Sequence, residues 1–212
     1  PPLVSVDIDG AVPRAEAKAK FGLELTAHHV LIQLGAGNID DTAPSLEAAL
    51  AAVKTLGPDW NAVVVRSPIA ERNAPLPTGV RAVHGYPLAQ FYAAFDFVVV
   101  AAGYNSVQEV VATSTPAILV PNLATVTDDQ SRRAFGAAEQ GLALAASDSA
   151  QIHAAVRTLA DPAARRRMRD SQRRAAAAPP LAADSLPRWL AGVLTGSPPL
   201  VGIRSTPHDA SM

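Results

Sequence analysis

Three groups of polar residues near the middle of the chain have types and spacings that can do chemistry: Gly103-Tyr104-Asn105-Ser106, then Glu109, then Asp129-Gln130. The first group follows an apolar strand and opens a helix. The first amides of a helix have no internal partners and carry the positive end of its dipole, so this turn forms an anion-binding corner. Glu109 falls three residues after Ser106, on the same helix face. A carboxylate repels a bound phosphate, so the fitting role for Glu109 is to accept hydrogen bonds from sugar hydroxyls. A second apolar strand, Ala117 to Val120, ends at Pro121, and a polar loop leads on to Asp129-Gln130. Corner, carboxylate and Asp-Gln pair together point to a nucleotide-sugar pocket.

The elements that must position these residues are short. Apolar runs predict strands at Val30 to Leu34, Ala62 to Arg66, Val80 to Val83, Phe97 to Ala101, Ala117 to Val120 and Leu142 to Ala145. Between them, helical patterns cover Pro44 to Leu56, Leu88 to Phe95 and the stretch from Ser106. Further helices follow at Gln130 to Gln140, after Ser147-Asp148, and from Ala163 to Ala176. A short helix, Pro13 to Phe21, precedes them, and an amphipathic one, Ser185 to Leu194, follows. The alternation predicts an α/β fold: a Rossmann-like parallel sheet of about six strands with helices on both faces. Ligands in such sheets bind at the carboxyl ends of the strands. The turns Gly35-Ala36-Gly37-Asn38, Ser67, His84-Gly85 and Gly103-Tyr104-Asn105-Ser106 would all share that rim.

Composition narrows the function. The chain has 212 residues, 49% of them hydrophobic and 17% charged, with a net charge of -1, which gives no bulk electrostatic reason to bind nucleic acid. Having no cysteine, it has no thiolate chemistry and no disulfide. No apolar run approaches the length of a membrane span.

From Gly103 to Gln130 the sequence resembles the donor-binding half of GT-B glycosyltransferases, the UDP-glycosyltransferases and the peptidoglycan GlcNAc transferase group (family 28) among them. Their signature runs H-C-G-W-N-S-x-x-E, then G-x-P, then P-x-x-x-D-Q. Here it reads Ala101-Ala102-Gly103-Tyr104-Asn105-Ser106-Val107-Gln108-Glu109, then Ser114-Thr115-Pro116, then Pro121 and Asp129-Gln130. The resemblance implies that Gly103, Tyr104, Asn105 and Ser106 hold the diphosphate, that Glu109 binds the ribose, and that Asp129 and Gln130 bind the donor sugar. Gly35, Gly37 and Asn38 would border the diphosphate, and His84 and Gly85 would frame the base. Two positions depart from the pattern. The signature histidine, a phosphate contact, is Ala101, and no tryptophan near Tyr86-Pro87 is available to stack on the base.

The function implied is donor binding in an inverting glycosyltransferase that moves a hexosyl group from a UDP- or dTDP-sugar to an acceptor hydroxyl. No cofactor or metal is called for. The general base is expected on a separate N-terminal acceptor-binding domain or partner chain, so no catalytic residue is assigned here and the chain alone is expected to be inactive. The acceptor would be a small molecule or a lipid, in the cytoplasm, with any membrane association through the other half. The chain begins Pro-Pro, which is read as a fragment or a processed chain. Residues 1–25 are then a linker from the missing domain, 26–195 the nucleotide-sugar-binding domain, and 196–212 a disordered tail.

Rival readings come from single features. Gly35-x-Gly37 lacks the third glycine of a dinucleotide fingerprint, since Asp40 stands there. Arg66 at a strand end imitates the 2'-phosphate binder of an NADP reductase. Asp7-Ile8-Asp9-Gly10 resembles the first motif of haloacid-dehalogenase-type phosphatases and the D-x-D of GT-A transferases, but Ala11 replaces the usual threonine. A catalytically silent binding subunit keeps the fold and changes the class. Sugar-nucleotide epimerases share the fold but rank below transferases, given Asp129-Gln130. His28, His29 and His153 share no metal-ligand spacing. The Arg165 to Arg174 cluster is expected to be a solvated helix surface, and Phe91, Tyr92, Phe95 and Phe97 to be core.

Overall fold

The structure, a computed structural model, describes residues 11–35, 42–66, 76–85, 87–123 and 128–176, all within the compact unit Val4–Pro179. Six strands form one sheet: β1 (His28–Gln33), β2 (Trp60–Val65), β3 (Arg81–Val83), β4 (Phe97–Ala101), β5 (Ala117–Val120) and β6 (Leu144–Ala145). Their order is β3-β2-β1-β4-β5-β6, and every pairing is parallel. Strand order reverses between β1 and β4, the switch point at which open α/β sheets leave a ligand crevice.

The central strands are apolar without alternation because both faces are covered. Successive residues point to opposite faces. Leu31, Val98, Val100 and Leu119 therefore join one core cluster, while Val30, Ile32, Val99 and Ile118 join the other. Phe91, Tyr92 and Phe95 pack on the first face and Phe97 on the second, all in the core as expected. Among the described residues six α-helices flank the sheet: α1 (Arg14–Lys20), α2 (Ala43–Lys54), α3 (Tyr104–Ala112), α4 (Gln130–Glu139), α5 (Ser149–Ala160) and α6 (Pro162–Ala176).

The segment expected as an α-helix from Leu88 to Phe95 is instead a 3-10 helix, Ala89–Ala94. Its repeat of three puts Leu88, Phe91 and Ala94 in one row and Ala89, Tyr92 and Phe95 in the next. All six are buried, and only the Gln90-Ala93 row is not. The sixth strand is also shorter than expected, two residues instead of four. Within residues 1–25, α1 contributes Ala17 to the first core cluster, and Phe21 and Leu23 follow it there. Buried Lys18 donates to the carbonyls of Glu24 (3.0 Å), Leu25 (3.0 Å) and Ala27 (2.7 Å), which fastens the return to β1.

The arginine cluster is not uniformly solvated. Arg166, Arg167, Arg173 and Arg174 are exposed, but Arg165 is buried. It donates to the Leu159 and Ala160 carbonyls at 2.6 and 2.9 Å, which lack helical partners at the end of α5. Its guanidinium lies 5.5 Å from the centroid of Trp60, which also stacks on His28 at 4.4 Å. A helix end and an aromatic ring, both distant in sequence, make burial of this cation favourable.

Asp96, at the amino end of β4, ties this network together. Its carboxylate accepts from the His29 amide at 3.0 Å and from Arg14 at 3.2 Å, and lies 3.2 Å from His28 Nδ1. Burial alone would raise its carboxyl, but the His29 amide, Arg14 and His28 outweigh burial and hold it below the usual range. Its stabilisation is therefore complete above the unfolded value of about 3.9 and is lost as pH falls through the lower folded value. Asp96→Ala leaves a buried amide, and Arg165 whose guanidinium lies 4.0 Å away, without their carboxylate and should lower the unfolding free energy by about 3 kcal/mol. Urea unfolding at pH 7 measures the loss, and the variant should show a shallower decline in stability below about pH 4.

Candidate functional site

At the carboxyl end of β1 the chain passes through buried Leu34 to Gly35, whose φ of 100° lies in the left-handed region that favours glycine. Gly37 and Asn38 lie outside the described residues. Beside β1, strand β4 runs into fully buried Ala102 and then Gly103, the N-cap of α3. Tyr104, Asn105 and Ser106, expected as turn, are already the first residues of α3. The first α3 amide with an intrahelical partner is Val107, which donates to Gly103 at 3.2 Å.

No side-chain cap is made at α3. The helices after the next two strands differ. Asp129 caps α4 by accepting from the Arg132 amide at 2.9 Å, and Asp148 caps α5 by accepting from the Gln151 amide at 2.8 Å. The amides of α3 are thus left open at the switch point, whereas those of α4 and α5 meet the chain's own carboxylates.

Glu109 lies one turn into α3 and is half-buried, and burial raises its carboxyl. Beneath it, buried Tyr92 donates its hydroxyl to Gln33 Oε1 at 3.3 Å, and burial together with Glu109 holds that hydroxyl in its neutral form. At the start of α4, Gln130 Oε1 accepts from the Asn122 amide at 3.0 Å, which binds α4 to the carboxyl end of β5. Arg133 pairs with Asp128 and donates to the Ala102 carbonyl at 2.7 Å. The structure thereby brings Ala102–Ser106, Asn122 and Asp128–Gln130 into one neighbourhood.

His84 and Gly85 follow β3, exposed on the same rim. His84 Nδ1 donates to the Arg66 carbonyl at 3.1 Å. They stand three strand positions from β4, about 14 Å at a spacing of about 4.8 Å per strand. Those of the predicted residues that the structure describes thus share an elongated rim, not a compact pocket. Asp7 and Asp9 of the phosphatase reading lie outside the described residues. Among the described residues no group of three or more His, Asp or Glu could hold a metal, and no helix is long and apolar enough to cross a membrane.

Arg133, Tyr92 and Gln33 are not among the sequence-predicted residues. Arg133 left one readable signal. A cation in the first turn of a helix opposes the dipole and needs a partner off the helix. The Tyr92–Gln33 pair is separated by 59 residues and left no signal in the sequence.

In fold, the parallel sheet and its rim correspond to one half of a GT-B glycosyltransferase. Residues 82–184 match the family model described as the glycosyltransferase family 28 C-terminal domain. No curated protein sequence matches significantly. Among solved structures, the chain is similar to the spinosyn forosaminyltransferase SpnP, with 17% identity over 84% of this chain and 46% of that one, at a TM-score of 0.63. It is also similar to the spinosyn rhamnosyltransferase SpnG in complex with thymidine diphosphate (24% identity, 71% and 42% covered, TM-score 0.56). A third is WaaG, a glycosyltransferase involved in lipopolysaccharide biosynthesis (20% identity, 93% and 56% covered, TM-score 0.65). At these identities the likeness is one of fold. The chain spans between 42% and 56% of the length of these three structures.

The capping role of Asp129 is separable from any ligand role. Asp129→Ala should lower stability by about 1 kcal/mol, whereas Asp129→Ser keeps an acceptor at the N-cap and should hold within a few tenths. Urea midpoints of the two variants check this.

Proposed function

We propose that this chain is the donor-binding domain of an inverting glycosyltransferase whose donor is a UDP- or dTDP-sugar. The observation that carries the reading is the open N-terminus of α3 at the switch point, with a half-buried carboxylate one turn inside it. The amides and side chains of Gly103, Tyr104, Asn105 and Ser106 take the diphosphate, bordered by Gly35, Gly37 and Asn38. Glu109 accepts from the ribose hydroxyls, Asp129 and Gln130 from the sugar hydroxyls, and His84 and Gly85 frame the base. A rim of about 14 Å between β3 and β4 suits an extended ligand of this kind better than a lone phosphate.

Charge develops on the diphosphate as an acceptor hydroxyl attacks the anomeric carbon. A preorganised helix N-terminus stabilises that charge where it appears, so the reading calls for no metal or cofactor. The base that deprotonates the acceptor would come from an N-terminal acceptor-binding domain or a partner chain, as would contacts to a small-molecule or lipid acceptor. On this reading the chain alone binds donor without turning it over, and a cytoplasmic pool of nucleotide sugar supplies it. The thymidine diphosphate held by the rhamnosyltransferase neighbour supports including both pyrimidine nucleotides in the test.

Isothermal titration with UDP and with dTDP tests the proposal, and no binding of either overturns it. Glu109→Ala should weaken binding at least about tenfold, through loss of hydrogen bonds to a charged acceptor. Equal affinities of wild type and variant would remove the ribose assignment. Because burial raises the Glu109 carboxyl, wild-type affinity should fall on acidification at a pH above the ordinary glutamate value of about 4.3.

Gly103 supplies a second test. A Cβ there would meet nothing closer than Ser106 Oγ at 3.9 Å, and its φ of -63° suits any residue. The fold does not demand glycine, whereas close approach of a diphosphate to the backbone does. Gly103→Ser, a good N-cap, should retain thermal stability and lose about tenfold or more in UDP affinity. Retained affinity would argue against backbone contact at this turn.

A further inference from the structure

We propose that Arg133 is a positioning residue that braces the sugar-reading pair Asp129–Gln130 against the diphosphate corner Ala102–Ser106. The functional part of this inference rests on the donor-binding reading above. The mechanical part rests on geometry alone.

Arg133 lies in the first turn of α4, where its charge is disfavoured by the positive end of the helix. Two partners outside that helix hold it. Nη1 donates to the Ala102 carbonyl at 2.7 Å, and both terminal nitrogens engage the Asp128 carboxylate. The guanidinium carbon lies 5.7 Å from the centroid of the Tyr104 ring, and the side chain is 23% exposed. One planar group therefore touches the residue before Gly103, the first residue of α3 and the residue before Asp129. A guanidinium can serve a carboxylate and a carbonyl together through its fixed fork of donors, and a lysine ammonium cannot reproduce that geometry.

Two further bonds extend the brace. Asp129 caps the α4 amides through Arg132, and Gln130 holds the Asn122 amide. With Arg133 in place, the orientation of both side chains is referred to Ala102, the point from which α3 springs. The rival role for Arg133 is a direct phosphate contact standing in for the histidine that Ala101 replaces. Against it, Asp128 balances the Arg133 charge, and Arg133 holds the Asp128 carboxyl below the usual range.

The experiment compares the whole chain as wild type, Arg133→Ala, Arg133→Lys and Asp128→Asn. Amide hydrogen exchange provides the arm that needs no ligand. In Arg133→Ala the Asn122 and Arg132 amides should exchange at least tenfold faster, with Ile152 and Val156 in α5 unchanged. Arg133→Lys should restore only part of the protection, and Asp128→Asn should resemble the alanine variant. Unchanged exchange at Asn122 and Arg132 overturns the brace.

Titrations with UDP, dTDP, UDP-glucose and dTDP-glucose provide the second arm. A brace predicts less than a threefold change for the free diphosphates and loss of whatever affinity the glucose adds. Equal losses for diphosphate and sugar nucleotide overturn the brace in favour of a phosphate contact. If wild type binds none of the four, the donor-binding reading fails, and the exchange arm still decides whether Arg133 orders the start of α4.

Discussion

The parallel pairing of β1 with β4, from Val30 opposite Phe97 to Gln33 opposite Val100, is the constraint on which the rest depends. Both strands are buried on both faces, so each must be followed by a chain segment that returns across the sheet. The returns leave on opposite sides: α2 belongs to one core cluster and α3 to the other. A crevice between their starting points follows from that divergence. The amino ends of the same two strands have the opposite character. There Asp96 pairs with Arg14, lies against His28 Nδ1 and accepts from the His29 amide. The amino end is thus tied by a charged network, and the other end keeps open amides at the start of α3.

What the sequence made legible follows from how local each signal is. The bounds of β4 and β5 agree with the expected ones, because a doubly buried strand writes itself as an unbroken apolar run. Expectations failed where a residue's partner lies far along the chain. Arg165 reads as one arginine among many, and only α5 and Trp60 make it a buried cap. The Leu88 to Phe95 segment has a repeat of three that a reading tuned to 3.6 takes for an ordinary helix. The core role of α1 rests chiefly on Ala17 with Phe21 and Leu23 just beyond it, too few positions to register as an amphipathic face.

The rim shows the same division. The placement of Gly103 and Glu109 on a strand-turn-helix unit, and of Asp129 and Gln130 at the start of its successor, was readable because that spacing is local. The contacts around them were not: the Tyr92–Gln33 and Arg133–Ala102 bonds each join segments far apart in the chain. A site can therefore have a legible face and an illegible support, since contact chemistry is local and preorganisation is not.

The carboxylates of the rim bear on which helix can receive an anion. Asp128, Asp129 and Glu109 all stand near helix starts, where uncompensated carboxylates would repel a diphosphate. Each is differently disposed. Asp129 is spent on the α4 amides and Asp128 on Arg133, so α4 offers a returning anion neither a free amide at Arg132 nor a free cation at Arg133. Glu109 is set back by a turn and half-buried, and burial favours its neutral form in the absence of hydroxyl donors. Of the three helices that follow β4, β5 and β6, α3 alone starts without a side-chain cap, and it does so at the switch point. On the proposed donor-binding reading, capping chemistry, which is usually considered for its contribution to helix stability, leaves the anion to α3 by having already satisfied its neighbour α4.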